Sequence, residues 1–346
     1  MNIDPTEVKN ILIVRQHNQL GDMLCSVPLF AALRKKFKDA SITLVASPMN
    51  YKILFNEINP YIDDVIVYDK STAKHILRFI KKLRSKKYDI GIVPSTFSIS
   101  RTSHYINFIS GAKIRAGVNS IDGKNKKVGY LLNVKKDVNW EEKKMHQTER
   151  NLDVGRLIGC DLTAEEKKNI SIKLSKEEKE FAEKYAAENF PDKNREIIAF
   201  HAGAGKVANR WDKDNFVNLI KKLYEKYDCY IVLTSGPIDN EITDYIKAKL
   251  EEKSIFVNIP SGMTTREEGA IIAKTSLYIT NDTGMMHVAA YMNSNVIGLF
   301  GPTNGYEWAP INDKGSYIQS PTGDINEITV ESIFEEAIKQ LDKNNV

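Results

Sequence analysis

The chain has 346 residues, of which 42% are hydrophobic and 27% charged, and this length and composition predict two globular domains. The composition excludes collagenous, disordered and disulfide-stapled proteins, and no apolar run reaches the roughly 18 residues of a membrane span. The amino-terminal segment lacks a signal-peptide layout, and the three cysteines form no CxxC pair. We therefore expect a cytoplasmic protein with reduced thiols.

The charge is unevenly distributed along the chain. Residues 1–150 carry 26 Lys and Arg against 14 Asp and Glu, whereas the rest carries 23 against 31. Either the two halves face different ligands, or the difference reflects random variation in a lysine-rich proteome. Charge alone leaves both explanations open.

Short apolar strands alternate with amphipathic helices from the start of the chain. The first half has predicted strands at 10–15, 41–47, 63–69 and 88–95, with helices at 22–38 and 72–86. Residues 120–145 are predicted to form loops with a short strand near 128–134, before a helix over 146–159. Near-continuous apolar strands separated by helices are typical of a parallel sheet that is buried on both faces.

The same alternation restarts after a charged stretch. The second half has a predicted helix at 175–189, then strands at 196–203, 229–236, 254–259, 276–282 and 295–301, with helices at 212–227, 239–251, 264–274, 284–292 and 329–343. We therefore predict two Rossmann-like parallel-sheet domains, 1–175 and 176–346, that face each other across a cleft. The last helix is a candidate for packing back on the first domain.

Ligands of open parallel sheets bind at the carboxyl ends of the strands, where helix amino termini offer free amides. The first strand is followed by Gly21, which permits a tight turn, and by Asp22 at the start of a helix. Asp22 is either a helix N-cap or a carboxylate that is available as a general base, and the local pattern favours the cap.

The loop over residues 203–211 is rich in glycine and basic residues. Its first six residues match the dinucleotide pattern GxGxxA, but the next helix cap is Asp212, and the following strand ends without an acid for a ribose. We therefore discount a nicotinamide site and predict that Lys206 and Arg210 bind a phosphate. A solvated loop with Trp211 in the core is the alternative.

The segment from Asn281 to His287 carries the sharpest local signal. Asp282, Thr283 and Gly284 lie at a predicted strand-to-helix junction, where backbone amides and the Thr283 hydroxyl would hold an anion. His287 falls one turn into the helix. The chain contains no Walker motif, and neither HExxH nor a paired Cys/His spacing predicts a zinc site, so we expect no metal and no cofactor. The absence of GxSxG argues against a serine hydrolase.

These blocks resemble the ADP-heptose heptosyltransferases of lipopolysaccharide core synthesis, a glycosyltransferase family of GT-B fold. The resemblance covers the opening strand with Gly-Asp, the glycine loop with Arg-Trp, and the block from Asp-Thr-Gly through His to Gly-Pro-Thr. It implies an inverting, metal-independent transfer of heptose or a related sugar from an ADP-sugar to an anionic glycolipid acceptor.

The resemblance also implies a role for each matching residue. Asp22 would be the catalytic base. The donor would be bound by Gly203, Ala204, Lys206, Asn209, Arg210, Ser235, Asp282, Thr283, Gly284 and His287. The acceptor side would include Asn18, Gly21 and Arg101. Asn209 stands where the family usually has lysine, so either Lys206 or Arg210 supplies that charge or the leaving group of the donor is bound less strongly. This departure leaves the exact donor, and ADP specificity, open.

Two other functions stay open: another GT-B nucleotide-sugar enzyme, such as an epimerase, or a non-catalytic protein that binds nucleotide sugars or glycans. Nucleic-acid binding is not expected, because the basic residues lack interleaved aromatic residues on a recognisable module. The cations of helix 72–86 form either a solvated face or a peripheral contact with an anionic glycolipid or the inner membrane.

Overall fold

The computed structural model describes residues 3–54, 59–236 and 238–343. The chain divides into two compact units, Met1–Ile170 and Ser171–Val346. Each unit contains one six-stranded sheet, and every strand pair in both sheets is parallel. The predicted class, two Rossmann-like parallel sheets, is confirmed.

The first unit alternates strands with helices along most of its length. Its strands are β1 (Asn10–Arg15), β2 (Ser41–Ala46), β3 (Asp64–Val67), β4 (Ile90–Ile92), β5 (Ile114–Ile121) and β6 (Val134–Val138). Its α-helices are α1 (Leu20–Leu24), α2 (Val27–Lys36), α3 (Tyr51–Leu54), α4 (Ala73–Leu83), α5 (Arg101–Ile109), α6 (Gln147–Arg156) and α7 (Ala164–Lys168).

The second unit repeats the pattern. Its strands are β7 (Ile197–His201), β8 (Tyr230–Leu233), β9 (Val257–Asn258), β10 (Leu277–Asn281), β11 (Val296–Phe300) and β12 (Gly315–Gln319). Its α-helices are α8 (Lys176–Asn189), α9 (Lys213–Tyr227), α10 (Asn240–Glu251), α11 (Thr265–Ile272), α12 (Gly284–Tyr291), α13 (Gly305–Trp308) and α14 (Val330–Lys343).

Both sheets have the same strand order. The first sheet runs β3-β2-β1-β4-β5-β6, and the second runs β9-β8-β7-β10-β11-β12. In each sheet the order reverses between the first and fourth strands of the unit. Such a reversal opens a crevice at the carboxyl edge, because the loops after the two strands leave in opposite directions. The loops after β1 and β4, and those after β7 and β10, therefore define the candidate sites.

Both faces of the second sheet are buried, as its continuous apolar strands predict. One face packs against helices that include α9 and α14, with Phe216, Ile220 and Ile333 fully buried. The other face packs against α12 and α8, through residues such as Met286 and Phe190. No helix in the described ranges is long and apolar enough to cross a membrane.

Several predicted elements differ from the observed ones. The helix predicted over 22–38 is two helices, α1 and α2, separated at Cys25 and Ser26. The short strand expected near 128–134 is a 3₁₀ turn over Gly129–Leu131, followed by β6. The sequence pattern did not predict α5, β5, the short helices α3, α7 and α13, or the edge strand β12.

Candidate active site

Asp22 lies in the first turn of α1, directly beyond the carboxyl end of β1. The helix N-cap is Gln19, so the prediction that Asp22 serves as the cap is wrong. Its carboxylate faces the loop after β4 instead, because Thr96 of that loop donates a hydrogen bond from Oγ1 to Asp22 Oδ1 over 3.0 Å. The two loops that flank the reversal of the first sheet thus meet at Asp22.

A buried arginine fixes the Asp22 carboxylate. Arg15 Nη2 lies 2.9 Å from Asp22 Oδ1, and the two side chains are only 3% and 8% exposed. Arg15 also donates from Nε and Nη2 to the Asp22 carbonyl. The contacts from Arg15 and Thr96 both fall on Oδ1, and within the described part of the chain no hydrogen bond reaches Oδ2. The carboxylate is oriented, with one oxygen left for a ligand.

The other predicted acceptor-side residues lie on the loop between β1 and α1, in α1 and at the start of α5. Asn18 is exposed on this loop, and Gly21 is half-buried next to Asp22. Burial, with help from the nearby Arg15 charge, lowers the pKa of His17, so this side chain is neutral near pH 7. Gln16 Nε2 donates to Ser100 Oγ, the N-cap of α5, over 3.3 Å. Arg101, which follows that cap, is exposed and donates from Nε to the Lys126 carbonyl.

The candidate donor site lies at the corresponding edge of the second sheet. Asn281, the last residue of β10, donates from Nδ2 to the Ala202 carbonyl over 2.8 Å and accepts a bond from the Trp211 amide over 3.2 Å. These bonds tie both ends of the 203–211 loop to the end of β10. The glycine loop and the Asp-Thr-Gly segment are therefore one structure, as their positions after neighbouring strands predict.

Asn209 connects Asp282 to a third loop. Its Nδ2 donates to Asp282 Oδ2 over 3.0 Å and to Thr303 Oγ1, in the loop after β11, over 3.2 Å. Its Oδ1 is buried, with no hydrogen-bond partner among the described residues. Burial raises the pKa of Asp282, while Thr303 and the positive charge of Lys206 oppose that rise. Lys206 is thus the cation that acts on Asp282.

The amino terminus of α12 completes this edge. Thr283 is the N-cap, but its side chain makes no capping bond, so the amides of the first turn stay available for an anion. Thr283 Oγ1 instead lies 3.3 Å from Thr280 Oγ1. One turn into the helix, the buried His287 ring lies 6.2 Å from the Trp308 ring, centroid to centroid.

Arg210 occupies a different part of the loop. Its Nε donates to the Ala204 carbonyl over 2.9 Å, and its Nη2 lies 3.8 Å from Oδ1 of the buried Asp239. Asp239 fits against Gly203, where an added Cβ would lie 2.1 Å from the Asp239 Cγ. Ser235, next to this cluster, accepts a bond from Thr243 Oγ1 over 3.1 Å. Arg210 therefore faces Asp239, whereas the charge of Lys206 acts on Asp282.

Four polar residues of these two edges had no predicted role: Thr96, Asp239, and Asn281 and Thr303, whose segments were recognised. Three of them end a strand or follow one within a few residues, so the carboxyl-end rule applied to β4, β10 and β11 would have found them. Asp239 follows β8 in a segment that carries no recognisable pattern. Among the described residues, no cluster of three or more His, Cys, Asp and Glu side chains could hold a metal ion.

Comparisons with known proteins agree with this architecture. The family model "Glycosyltransferase family 9 (heptosyltransferase)" matches residues 76–338. Lipopolysaccharide heptosyltransferase 2 of Escherichia coli K12 is 26% identical over 311 residues, which cover 88% of this chain and 86% of that protein. A family 9 glycosyl transferase from Veillonella parvula superposes with a TM-score of 0.84 at 19% identity over 99% of both chains. An E. coli heptosyltransferase, WaaC, solved with ADP gives a TM-score of 0.72 at 16% identity over 96% of this chain and 99% of that one.

Proposed function

The chain belongs to glycosyltransferase family 9, and on that premise we propose that it moves heptose, or a closely related sugar, from an ADP-sugar to a lipopolysaccharide core or lipid-linked oligosaccharide acceptor. The E. coli relative named above is a lipopolysaccharide heptosyltransferase, which supports this acceptor class. The structural relative solved with ADP supports an adenine nucleotide in the donor.

One observation carries the proposal: Asn209, Asp282 and Thr303 are hydrogen-bonded together beside the uncapped amino terminus of α12. Such a terminus suits a diphosphate, because its amides and the helix dipole favour negative charge. Thr283 would add a hydroxyl donor and Lys206 a positive charge. Asp282 can only accept hydrogen bonds when ionised, so it would bind donor hydroxyl groups rather than phosphate.

We assign the base to Asp22. In the proposed reaction Oδ2 of Asp22 takes the proton of the acceptor hydroxyl as that oxygen bonds to the anomeric carbon of the donor. The bond from this carbon to the diphosphate oxygen breaks on the opposite side, which inverts the anomeric centre and releases ADP. The helix amides and Lys206 would stabilise the negative charge that develops on the leaving diphosphate, and the reaction would need no metal.

Calorimetric titration with ADP, UDP, GDP and CDP in the presence of EDTA tests the donor site. We expect ADP to bind most tightly and its affinity to fall about tenfold in Asp282→Ala, the loss of one strong hydrogen bond. The control is Asp244→Ala, which removes an exposed carboxylate on α10. Equal affinity of Asp282→Ala and Asp244→Ala for ADP would contradict the assignment of Asp282.

Transfer assays with ADP-heptose test the reaction itself. We expect Asp22→Asn to lower kcat by about 10² to 10⁴, the usual contribution of a general base, while ADP affinity stays unchanged. Release of free sugar without an acceptor would instead indicate an epimerase-like enzyme. ADP binding without turnover on any acceptor would indicate a binding protein.

A further inference from the structure

Helix α5 buries Ile106 but presents its other apolar side chains to solvent, and it buries polar ones. Tyr105, Phe108 and Ile109 are 45%, 49% and 40% exposed. On the opposite side, His104 and Asn107 are fully buried, bonded to the Ser100 and Gly91 carbonyls respectively. This is the reverse of the usual pattern of a surface helix, so the exposed stripe cannot be attributed to packing in its own unit.

The exposed stripe continues onto neighbouring segments. Tyr130 is 68% exposed, and its hydroxyl lies 3.3 Å from that of Tyr105. Phe97, in the loop before α5, is 64% exposed. We call Phe97, Tyr105, Phe108, Ile109 and Tyr130 the aromatic face. Aromatic rings, and tyrosine in particular, favour the boundary between water and lipid, because one end is apolar and the other polar.

Positive charge surrounds the aromatic face. Residues 97–136 contain eight Lys and Arg and only one acidic residue, Asp122. Arg115 lies over the Phe108 ring, 5.4 Å from its centroid. Lys126 and Lys127 are exposed, and the Lys126 carbonyl is held by Arg101 at the start of α5. Elsewhere in the first unit, Lys82 of α4 and Lys86 just beyond its end are paired with Asp64. Two of the eight, Lys113 and Lys136, are paired with Asp89 and Asp153, whereas the exposed Lys126 and Lys127 form no ion pair among the described residues.

The aromatic face begins where the candidate base is held. Phe97 directly follows Thr96, which donates to Asp22. Ser100, the N-cap of α5, accepts a bond from Gln16 on the loop that leads to Asp22. A surface that adjoins the base is where the membrane-embedded part of a lipid-linked acceptor would have to rest while its sugar reaches the carboxylate.

We propose that the aromatic face and its surrounding cations dock the protein on an anionic lipid bilayer. The rings would enter the headgroup boundary, and Lys126, Lys127 and Arg115 would pair with lipid phosphates. The link to Asp22 rests on the proposed function, whereas the docking itself does not. The expected occupant is a bilayer because the face combines aromatic side chains with a large excess of positive charge.

Sedimentation with sucrose-loaded vesicles tests the docking without donor or acceptor. We expect the full-length protein to bind vesicles that contain phosphatidylglycerol more tightly than vesicles of phosphatidylcholine alone, and less tightly at high salt. Lys126→Glu/Lys127→Glu should weaken binding at least about 25-fold, taking roughly fivefold for each lost lysine. The control Lys179→Glu/Lys253→Glu makes the same charge change at exposed positions of the second unit and should alter binding much less.

Removal of two aromatic rings tests whether the aromatic face contributes to vesicle binding. Phe108→Ser/Tyr130→Ser should lower affinity for the anionic vesicles at least tenfold, whereas Phe256→Ser, at a 71% exposed ring of the second unit, should not. Unchanged vesicle binding in the Lys126/Lys127 and Phe108/Tyr130 variants would overturn the proposal. So would a wild-type protein that ignores anionic vesicles at low salt, or one that forms dimers which Phe108→Ser/Tyr130→Ser converts to monomers.

An activity comparison separates this inference from the proposed function. Phe108→Ser/Tyr130→Ser should transfer sugar normally to a delipidated, water-soluble acceptor and slowly to the same acceptor in vesicles. Equal loss on both acceptors would overturn the docking role. If the wild-type protein transferred nothing to either acceptor, the proposed function would fail and the vesicle measurements would still decide the docking.

Discussion

At the scale of single residues, Asp22 has two roles in its ion pair with Arg15, one chemical and one structural. The carboxylate must be available for chemistry, yet it also neutralises a guanidinium that is almost completely buried. Removing one member of a buried ion pair leaves the other charge without compensation, which costs about 3–5 kcal/mol. A loss of activity after truncation of Asp22 would therefore have two causes, the missing base and the lower stability of the fold.

We expect Asp22→Ala to lower the free energy of unfolding by about 3 kcal/mol or more, because Arg15 stays buried without its partner. Asp22→Asn should lose less, since the amide oxygen can still accept from Arg15 and Thr96. Urea denaturation measures both changes. Asp39→Ala removes an exposed carboxylate and should stay within about 0.5 kcal/mol of the wild type. Equal stability of Asp22→Ala and Asp39→Ala would contradict the buried pair.

A second carboxyl group, that of Glu268 on α11, also lies inside the protein. Its Oε1 is buried and has no hydrogen-bond partner in the described ranges, and burial raises the pKa of Glu268 to about 7. The folded protein therefore keeps the Glu268 proton over a pH range in which the unfolded chain, with its ordinary pKa of 4.5, has lost it. The contribution of protonated Glu268 to the free energy of unfolding is fully present below pH 4.5 and is lost as the pH rises through about 7.

We expect Glu268→Gln to stabilise the protein at pH 8, because the amide imitates the neutral acid that burial favours. The gain over the wild type should approach about 3 kcal/mol, which corresponds to the pKa shift, and should shrink toward pH 5. Urea unfolding at the two pH values checks this, with the exposed Glu241→Gln as control. A gain that does not depend on pH would show that Glu268 does not titrate in this range.

At the scale of elements, the sequence predicted most strands and long helices because their apolar periodicity follows from burial. Helix α9 begins after Asp212, as predicted, because that side chain caps the Asp214 amide. Helix α5 was missed because most of its apolar residues face outward and its buried side, apart from Ile106, is polar, so apolar periodicity could not locate it. Edge strand β12 was missed because its residues are largely exposed and carry no apolar run.

The glycine loop after β7 offers a test of close packing. Gly203 lies against the Asp239 carboxylate, whereas a Cβ at Gly205 would meet nothing within 4 Å. We expect Gly203→Ala to lower the free energy of unfolding by about 1–3 kcal/mol, because the buried Asp239 must move. Gly205→Ala should leave it nearly unchanged. Thermal unfolding of the two variants compares them directly, and similar melting temperatures would contradict the packing at Gly203.

At the scale of the whole molecule, both units have the same strand order and place their candidate site residues at the same kind of edge. From the sequence, the rule that ligands bind at the carboxyl ends of strands selected Asp22 in one unit and Asp282 in the other as candidates, and both lie beside the reversal of strand order. What it could not supply were partners that are distant along the chain. Thr96 reaches Asp22, and Thr303 reaches Asn209, only in the finished sheets.

Each unit has its own sheet and buried core, so we expect residues 171–346 to fold when produced alone. Because the residues assigned to the donor all lie in this unit, the isolated unit should bind ADP within about tenfold of the full chain. Calorimetry after confirmation of cooperative unfolding measures this. A folded unit without affinity for ADP would show that the donor site needs residues of the first unit.

The last helix has a consequence for how the protein is made. Ile333, Ala337 and Leu341 of α14 are buried in the same core as Phe216 and Ile220 of α9. A ribosome releases the chain from its amino terminus, so the first unit can fold while the second is still being synthesised. The second core stays open until α14 has emerged. A premature stop only a dozen or so codons early would therefore leave a folded first unit attached to an aggregation-prone remainder.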